Sequence, residues 1–133
     1  ELIEYATKFT REDGLADMAD ILTANSHIDA VFSMDDETSI GALQAIRDAG
    51  RTDIKVITGG GGAQEYFNMM LAEENQDIWL QTATYSPIMV EDAVDMAVDI
   101  LDGNIPEESV KIIPTTIIDR EHASEYLDES SPY

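Results

Sequence analysis

The stretch HIDAVFSMDDETSIGALQAIRDAGRTDIKVITGGGG, His27 to Gly62, decides the fold class. Two apolar runs, Asp29 to Met34 and Ile54 to Thr58, read as buried strands. Each stops abruptly, the first at Asp35-Asp36-Glu37 and the second at the glycines 59 to 62. Between them Ile40, Ala42, Leu43, Ile46 and Ala49 recur at helical spacing, with Asp36 able to cap that helix and Gly50 to end it. Strand, helix and strand in that order call for a parallel sheet. Open sheets of this kind take their ligands at the carboxyl ends of the strands, which is where the two breaks fall.

The pattern continues on both sides. Leu2 to Lys8 is a short extended run, and Thr10 can cap a helix carrying Leu15, Met18, Ala19, Ile21 and Leu22 on one face. Downstream, Gln64 to Glu74 reads as a helix and Asp77 to Ala83 as a strand. Pro87 suits a first helical position and Gly103 a helix stop. Within that helix Met89, Ala93, Val94, Ala97, Val98, Ile100 and Leu101 are apolar, opposite Glu91, Asp92, Asp95, Asp99 and Asp102. VKIIPTTIID is a last extended segment broken by Pro114, and REHASEYL a short closing helix. The expected architecture is α/β, a three-layer α/β/α arrangement with a mostly parallel sheet. It forms one domain over residues 1–127, followed by a disordered tail at 128–133.

Composition narrows the function. The chain of 133 residues carries 28 acidic and 7 basic side chains, a formal net charge of -21. Binding to a nucleic acid backbone needs lysine and arginine to neutralise phosphates, so that class is excluded, as is docking on an anionic membrane surface. A neutral or cationic ligand fits the charge better. There is no cysteine, hence no disulfide framework and no thiolate metal site. The opening ELIEYATKFTRED is neither a signal peptide nor an initiator start, and is expected to be an internal cut in a longer protein.

The motifs are best weighed against their plainer readings. Ala63 and Gln64 follow the glycines, where a phosphate-binding loop needs Lys and Ser or Thr, and the spacing of a dinucleotide fingerprint is missing. Glycine here serves a strand-to-helix turn or lets the backbone approach a ligand closely. Asp36 and Glu37 are accounted for by helix capping and the helix dipole, whereas Asp35, at the strand end, is expected to point into the crevice. A receiver-type magnesium site would need further residues where Gly60 and Tyr85 stand. His27 and His122 have no partners at metal-ligand spacing and read as surface residues, and no catalytic arrangement is present. No metal, no cofactor and no enzymatic activity are expected.

From Leu2 to Tyr126 the order and spacing of these segments resemble the C-terminal lobe of type I periplasmic sugar-binding proteins, the ribose- and galactose-type receptors of ABC importers. The family typically runs Phe-Asp-Arg into a helix and then DAVFAxNDExAxGAxxAxxxAGxxDIxVVGFDG. This chain has KFTRED, then DAVFSMDDETSIGALQAIRDAGRTDIKVITGGGG, and closes on DREHASEYL where the family closes on xxNVDEY. The effector domains of LacI-type repressors share the fold and are the alternative. They usually insert Pro-Glu-Asp before the glycine-ended strand, and the join AGRTDIKVI here is the shorter one of the transport receptors.

The resemblance implies a solute-binding receptor that holds a neutral sugar or polyol between two lobes and hands it to a membrane permease. It implies an extracytoplasmic location, in a periplasm or lipid-anchored on the outer face of a cell membrane. Phe9 matches the aromatic that stacks on a sugar ring. Asp35 falls where the family usually has Asn, Gly60 where ribose- and galactose-type receptors have a hydroxyl-binding Asp, and Tyr85 where Gln is common. The expected ligand-binding residues are therefore Phe9, Asp35, Gly60 and Tyr85, with the departure at Gly60 leaving the identity of the sugar open. The helix 87–103 would normally pack on the other lobe. Alone, the chain is expected to fold that helix back or to exchange it between two copies.

Overall fold

The computed structural model describes residues 1–85, 87–108, 110–131 and 133. The first helix, α1 (Arg11–Ala24), starts where expected: Thr10 is extended and its hydroxyl accepts the backbone N–H of Asp13. The strand β1 (Ala30–Phe32) leads to α2 (Asp36–Asp48). The cap of α2 is Asp35, one residue earlier than expected, with its Oδ1 accepting the Thr38 N–H at 2.8 Å. Gly50 takes the left-handed conformation, φ 61°, that ends this helix.

The next strand, β2 (Val56–Gly61), runs through the glycines rather than stopping before them. Its partner explains this. In β3 (Trp79–Thr84), Thr82, Ala83 and Thr84 pair with Gly59, Gly60 and Gly61, and the ladder holds the glycines extended. The turn comes only at Gly61 and Gly62, with φ of 131° and 92°, values that side-chain-bearing residues rarely adopt. Between β2 and β3 lies α3 (Gln64–Leu71), shorter than expected because its last turn becomes a separate 3-10 turn at Glu73–Asn75. A 3-10 turn at Pro87–Met89 precedes α4 (Val90–Leu101), and β4 (Ile117–Asp119) closes the sheet. The expected closing helix is reduced to a 3-10 turn at Ala123–Glu125.

The sheet order is β1-β2-β3-β4, with the first three strands parallel and β4 antiparallel to β3. This is the mixed, mostly parallel sheet of an α/β fold. Burial alternates along β1, the first part of β3 and the start of β2. Ile57, Leu80, Thr82 and Ile118 share one face and are enclosed with Leu43 and Ile46 of α2 and Tyr66, Phe67 and Met70 of α3. The opposite face carries Phe32, 81 % exposed, and Ile117, also exposed. The described residues thus supply one of the two helical layers of the expected arrangement.

The helix α4 contributes no buried residue, and Val94, Val98 and Leu101 are all exposed. Its apolar face has the pattern of a packed helix without a surface to pack on.

Candidate functional site

Three strand ends meet at one edge of the sheet. Met34 and Asp35 follow β1, Gly60 and Gly61 finish β2 with Gly62 after it, and Tyr85 follows β3. The Tyr85 N–H bonds the Gly61 carbonyl at 3.2 Å, which fixes where the side chain starts. The ring then crosses β2, and its hydroxyl donates to the Met34 carbonyl at 3.1 Å. A Cβ on Gly60 would stand 2.6 Å from that carbonyl oxygen and 2.7 Å from Cε1 of the Tyr85 ring. No real side chain tolerates such contacts, so glycine at 60 is what admits the tyrosine.

Asp35 is held in place by more than its cap. Its carbonyl accepts the hydroxyls of Ser33 and Ser39 at 3.0 and 2.7 Å. The residue is 9 % exposed and its Oδ1 is engaged by Thr38, so it caps α2 close to the end of β1. Burial pushes the Tyr85 phenol above its usual range, and the charges of Asp35 and Asp36 add to that. The phenol therefore stays neutral and keeps its hydrogen.

Sequence reasoning assigned Asp36 to capping, and the structure gives it a different task. It is fully buried. Thr82 donates to its Oδ1 at 2.7 Å, and the N–H groups of Gly62 and Ala63 donate to its Oδ2 at 2.8 Å each. One carboxylate thus ties the start of α2 to the glycine turn and to the middle of β3. Burial raises its pKa, and the three donors offset part of that rise. Its partners lie 26 to 46 residues away in sequence, so no local signal points to it.

Tyr133 also escaped sequence reading, because it lies in the segment expected as a tail. It packs against the buried core, and its hydroxyl occupies the space where a Cβ of Gly61 would stand. Its phenol is pushed up to about 12, first by burial and then by Asp36.

Phe9 sits just before the Thr10 cap, its ring 65 % exposed. Two residues on, the Arg11 guanidinium bonds Glu37 at 3.1 Å and Glu65 at 2.8 Å, joining the starts of α1, α2 and α3. Phe9 is thereby at the same end of the domain as the strand tips, although only Asp35, Gly60 and Tyr85 are drawn into one constellation. His27 and His122 are exposed and pair with aspartates, His27 with Asp29 and His122 with Asp119. Among the described residues no group of side chains is arranged to hold a metal ion. An open groove of about 410 Å³ is lined by Thr84, Tyr85, Met89, Glu91, Asp92, Asp95, Ile113 and Pro114. Among the described residues, no helix is long and apolar enough to cross a membrane.

Known proteins resemble this chain in sequence and fold. Ribose import binding proteins of Salmonella typhimurium and Escherichia coli are 43 % identical over 56 residues, which is 42 % of this chain and 19 % of theirs. The periplasmic binding component of the arabinose ABC transporter from Shewanella sp. ANA-3, solved with α- and β-L-arabinofuranose, superposes with a TM-score of 0.78. It is 30 % identical, and the match covers 92 % of this chain and 41 % of that one. A galactofuranose-binding protein shares the fold at a TM-score of 0.83 and 23 % identity, over 96 % of this chain and 44 % of that one. The chain therefore spans less than half the length of these relatives. The family model described as periplasmic binding protein domain matches residues 1–105, and the chain belongs to that family.

Proposed function

We propose that this chain forms one wall of a cleft that closes on a neutral sugar or polyol, with a second lobe forming the other wall. The receptor so built works outside the cytoplasm, delivers its ligand to an ABC permease and catalyses no reaction. The observation that carries the reading is the meeting of Asp35, Gly60 and Tyr85 at the ends of adjacent parallel strands, where such sheets hold ligands.

The roles follow from chemistry. Phe9 offers an exposed ring to the C–H face of a sugar. Asp35 has a carboxylate oxygen beyond the one spent on its cap, able to accept a ligand hydroxyl in a charge-assisted bond. Tyr85 supplies the wall across Gly60. Closure is favoured because only the closed state satisfies the ligand from both lobes. Without the second lobe, α4 either folds onto its own domain or exchanges between two copies of the chain.

The test is a thermal-shift panel of pentoses, hexoses and sugar alcohols on the protein carrying both lobes. A ligand at a hundredfold excess over its Kd adds about 2.7 kcal/mol, a readily measured rise in Tm. Asp35→Asn keeps a good cap and removes the charge, and it is expected to weaken binding by about tenfold or more. Phe9→Ala should cost about tenfold through lost stacking. A panel without any shift would end the sugar reading.

A further inference from the structure

The segment after Tyr126 is fastened along the start of α3. Gln64, the first residue of that helix, clamps it: the side-chain amide donates to the Tyr126 carbonyl at 3.2 Å, and Oε1 accepts the Asp128 N–H at 2.8 Å. Asp128 then makes a tight turn. Its Oδ1 accepts the N–H and the hydroxyl of Ser130 at 2.8 and 2.6 Å, and its carbonyl accepts the Ser131 N–H at 3.0 Å. The Ser131 hydroxyl donates to the main-chain oxygen of Tyr133 at 2.7 Å and accepts the Tyr133 N–H at 3.3 Å.

This path delivers one side chain to the end of β2. The Tyr133 hydroxyl stands over the Gly61 backbone, in the space of a Cβ, and Asp36 Oδ2 lies 3.4 Å from that same space. The charges of Asp36, Glu37 and Asp35 and the phenol of Tyr85 all act on it. Two tyrosines therefore flank the last residues of β2, Tyr85 against Gly60 and Tyr133 against Gly61. They are held differently. Tyr85 follows β3 directly and its hydroxyl bonds the Met34 carbonyl. Among the described residues, Tyr133 is hydrogen-bonded through its main chain alone, to Ser131, and its side chain is held by packing. A contact of so few groups at the end of a short segment opens at low cost.

We infer that residues 128–133 form a strap whose Tyr133 occupies the strand ends in the ligand-free protein and is displaced when a sugar enters. This rests on the reading of the strand ends as a ligand wall. A side chain tethered so close to its anchor competes at an effective concentration of millimolar order, so it needs no strong contacts of its own. A strap closed about nine-tenths of the time weakens apparent binding about tenfold.

The test uses the protein carrying both lobes, labelled with 3-fluorotyrosine, with the Tyr133 resonance assigned by its loss in Tyr133→Phe. D-ribose, L-arabinose, D-galactose, D-fructose and myo-inositol are the probes. Without sugar the Tyr133 fluorine signal should lie apart from that of the exposed Tyr5, and a saturating probe should move it to the exposed position. Calorimetry with the same probe should find Tyr133→Ala binding about tenfold tighter than the wild type. Gln64→Ala, which opens the clamp and leaves Tyr133 in place, should tighten binding too. Weaker binding by Tyr133→Ala overturns the inference, since the ring would then belong to the ligand wall. Unchanged affinity overturns it as well, as does a Tyr133 signal already at the exposed position without sugar. If no probe binds the wild type or Tyr133→Ala, the ligand wall falls and the strap with it. A probe that binds both alike leaves the wall standing and removes the strap alone.

Discussion

Asp36 shows how much can rest on one carboxylate with no cation beside it. It accepts from two backbone N–H groups and one hydroxyl, all enclosed, so its removal strands three donors at once. An unsatisfied buried donor costs about 1–3 kcal/mol, and partial relaxation makes about 3 kcal/mol a fair expectation for Asp36→Ala in urea denaturation. The pH dependence follows from its raised pKa. An unperturbed group would titrate near 3.8, and burial holds the folded value above that. A carboxyl of this kind contributes stability fully present below the unfolded value and lost as pH rises through the folded one. The stability of the wild type relative to Asp36→Asn should therefore decline from about pH 4 upward. A difference that stays flat to neutral pH would show that the pKa is not raised. At this scale the sequence was readable in part. Asp35 stood out because it ends a strand, whereas the load on Asp36 comes from residues that only the fold brings near.

The elements were legible where periodicity was strong, and their ends were not. Both long helices before β2 begin at the polar residues that cap them, and α2 ends by Gly50. The glycines 59 to 61 looked like a turn, because glycine is a poor strand former. Pairing with three consecutive residues of β3 overrides that preference. The contact between helices was equally hidden. A Cβ on Gly14 would lie 2.6 Å from the Thr38 carbonyl oxygen, and one on Gly41 would lie 2.7 Å from the Leu15 nitrogen and closer still to the Arg11 carbonyl. These are backbone atoms and cannot swing away as a side chain would. Gly41→Ala must separate α1 from α2, with an expected loss of about 3 kcal/mol for such overpacking. Because Phe9 directly precedes the Thr10 cap of α1, the sugar contact proposed for Phe9 should weaken with the same change. Stability measured by chemical denaturation and affinity by calorimetry should then fall together. Wild-type stability in Gly41→Ala would mean that the helices are not in register as described.

For the whole molecule, two features oppose each other. The open sheet face with Phe32 and the bare apolar side of α4 favour association, since apolar surface removed from water is stabilising. A net charge of -21 opposes it. The range of that repulsion is set by salt: about 30 Å at 0.01 M and about 10 Å at 0.1 M. At low ionic strength two copies repel before their apolar faces meet, and at high ionic strength only the attraction remains. The chain alone should therefore be monomeric in about 0.01 M salt, with the α4 amides exchanging hydrogen rapidly, and should dimerise in about 0.5 M salt as those amides become protected. Light scattering and hydrogen exchange on one salt series read both quantities. Coincident rises in mass and α4 protection identify α4 as part of the contact, as exchange between copies requires. Protection of α4 in a chain that stays monomeric would mean instead that the helix folds onto its own domain. Rising mass with α4 still unprotected would place the contact on the open sheet face, where Phe32→Lys should abolish it.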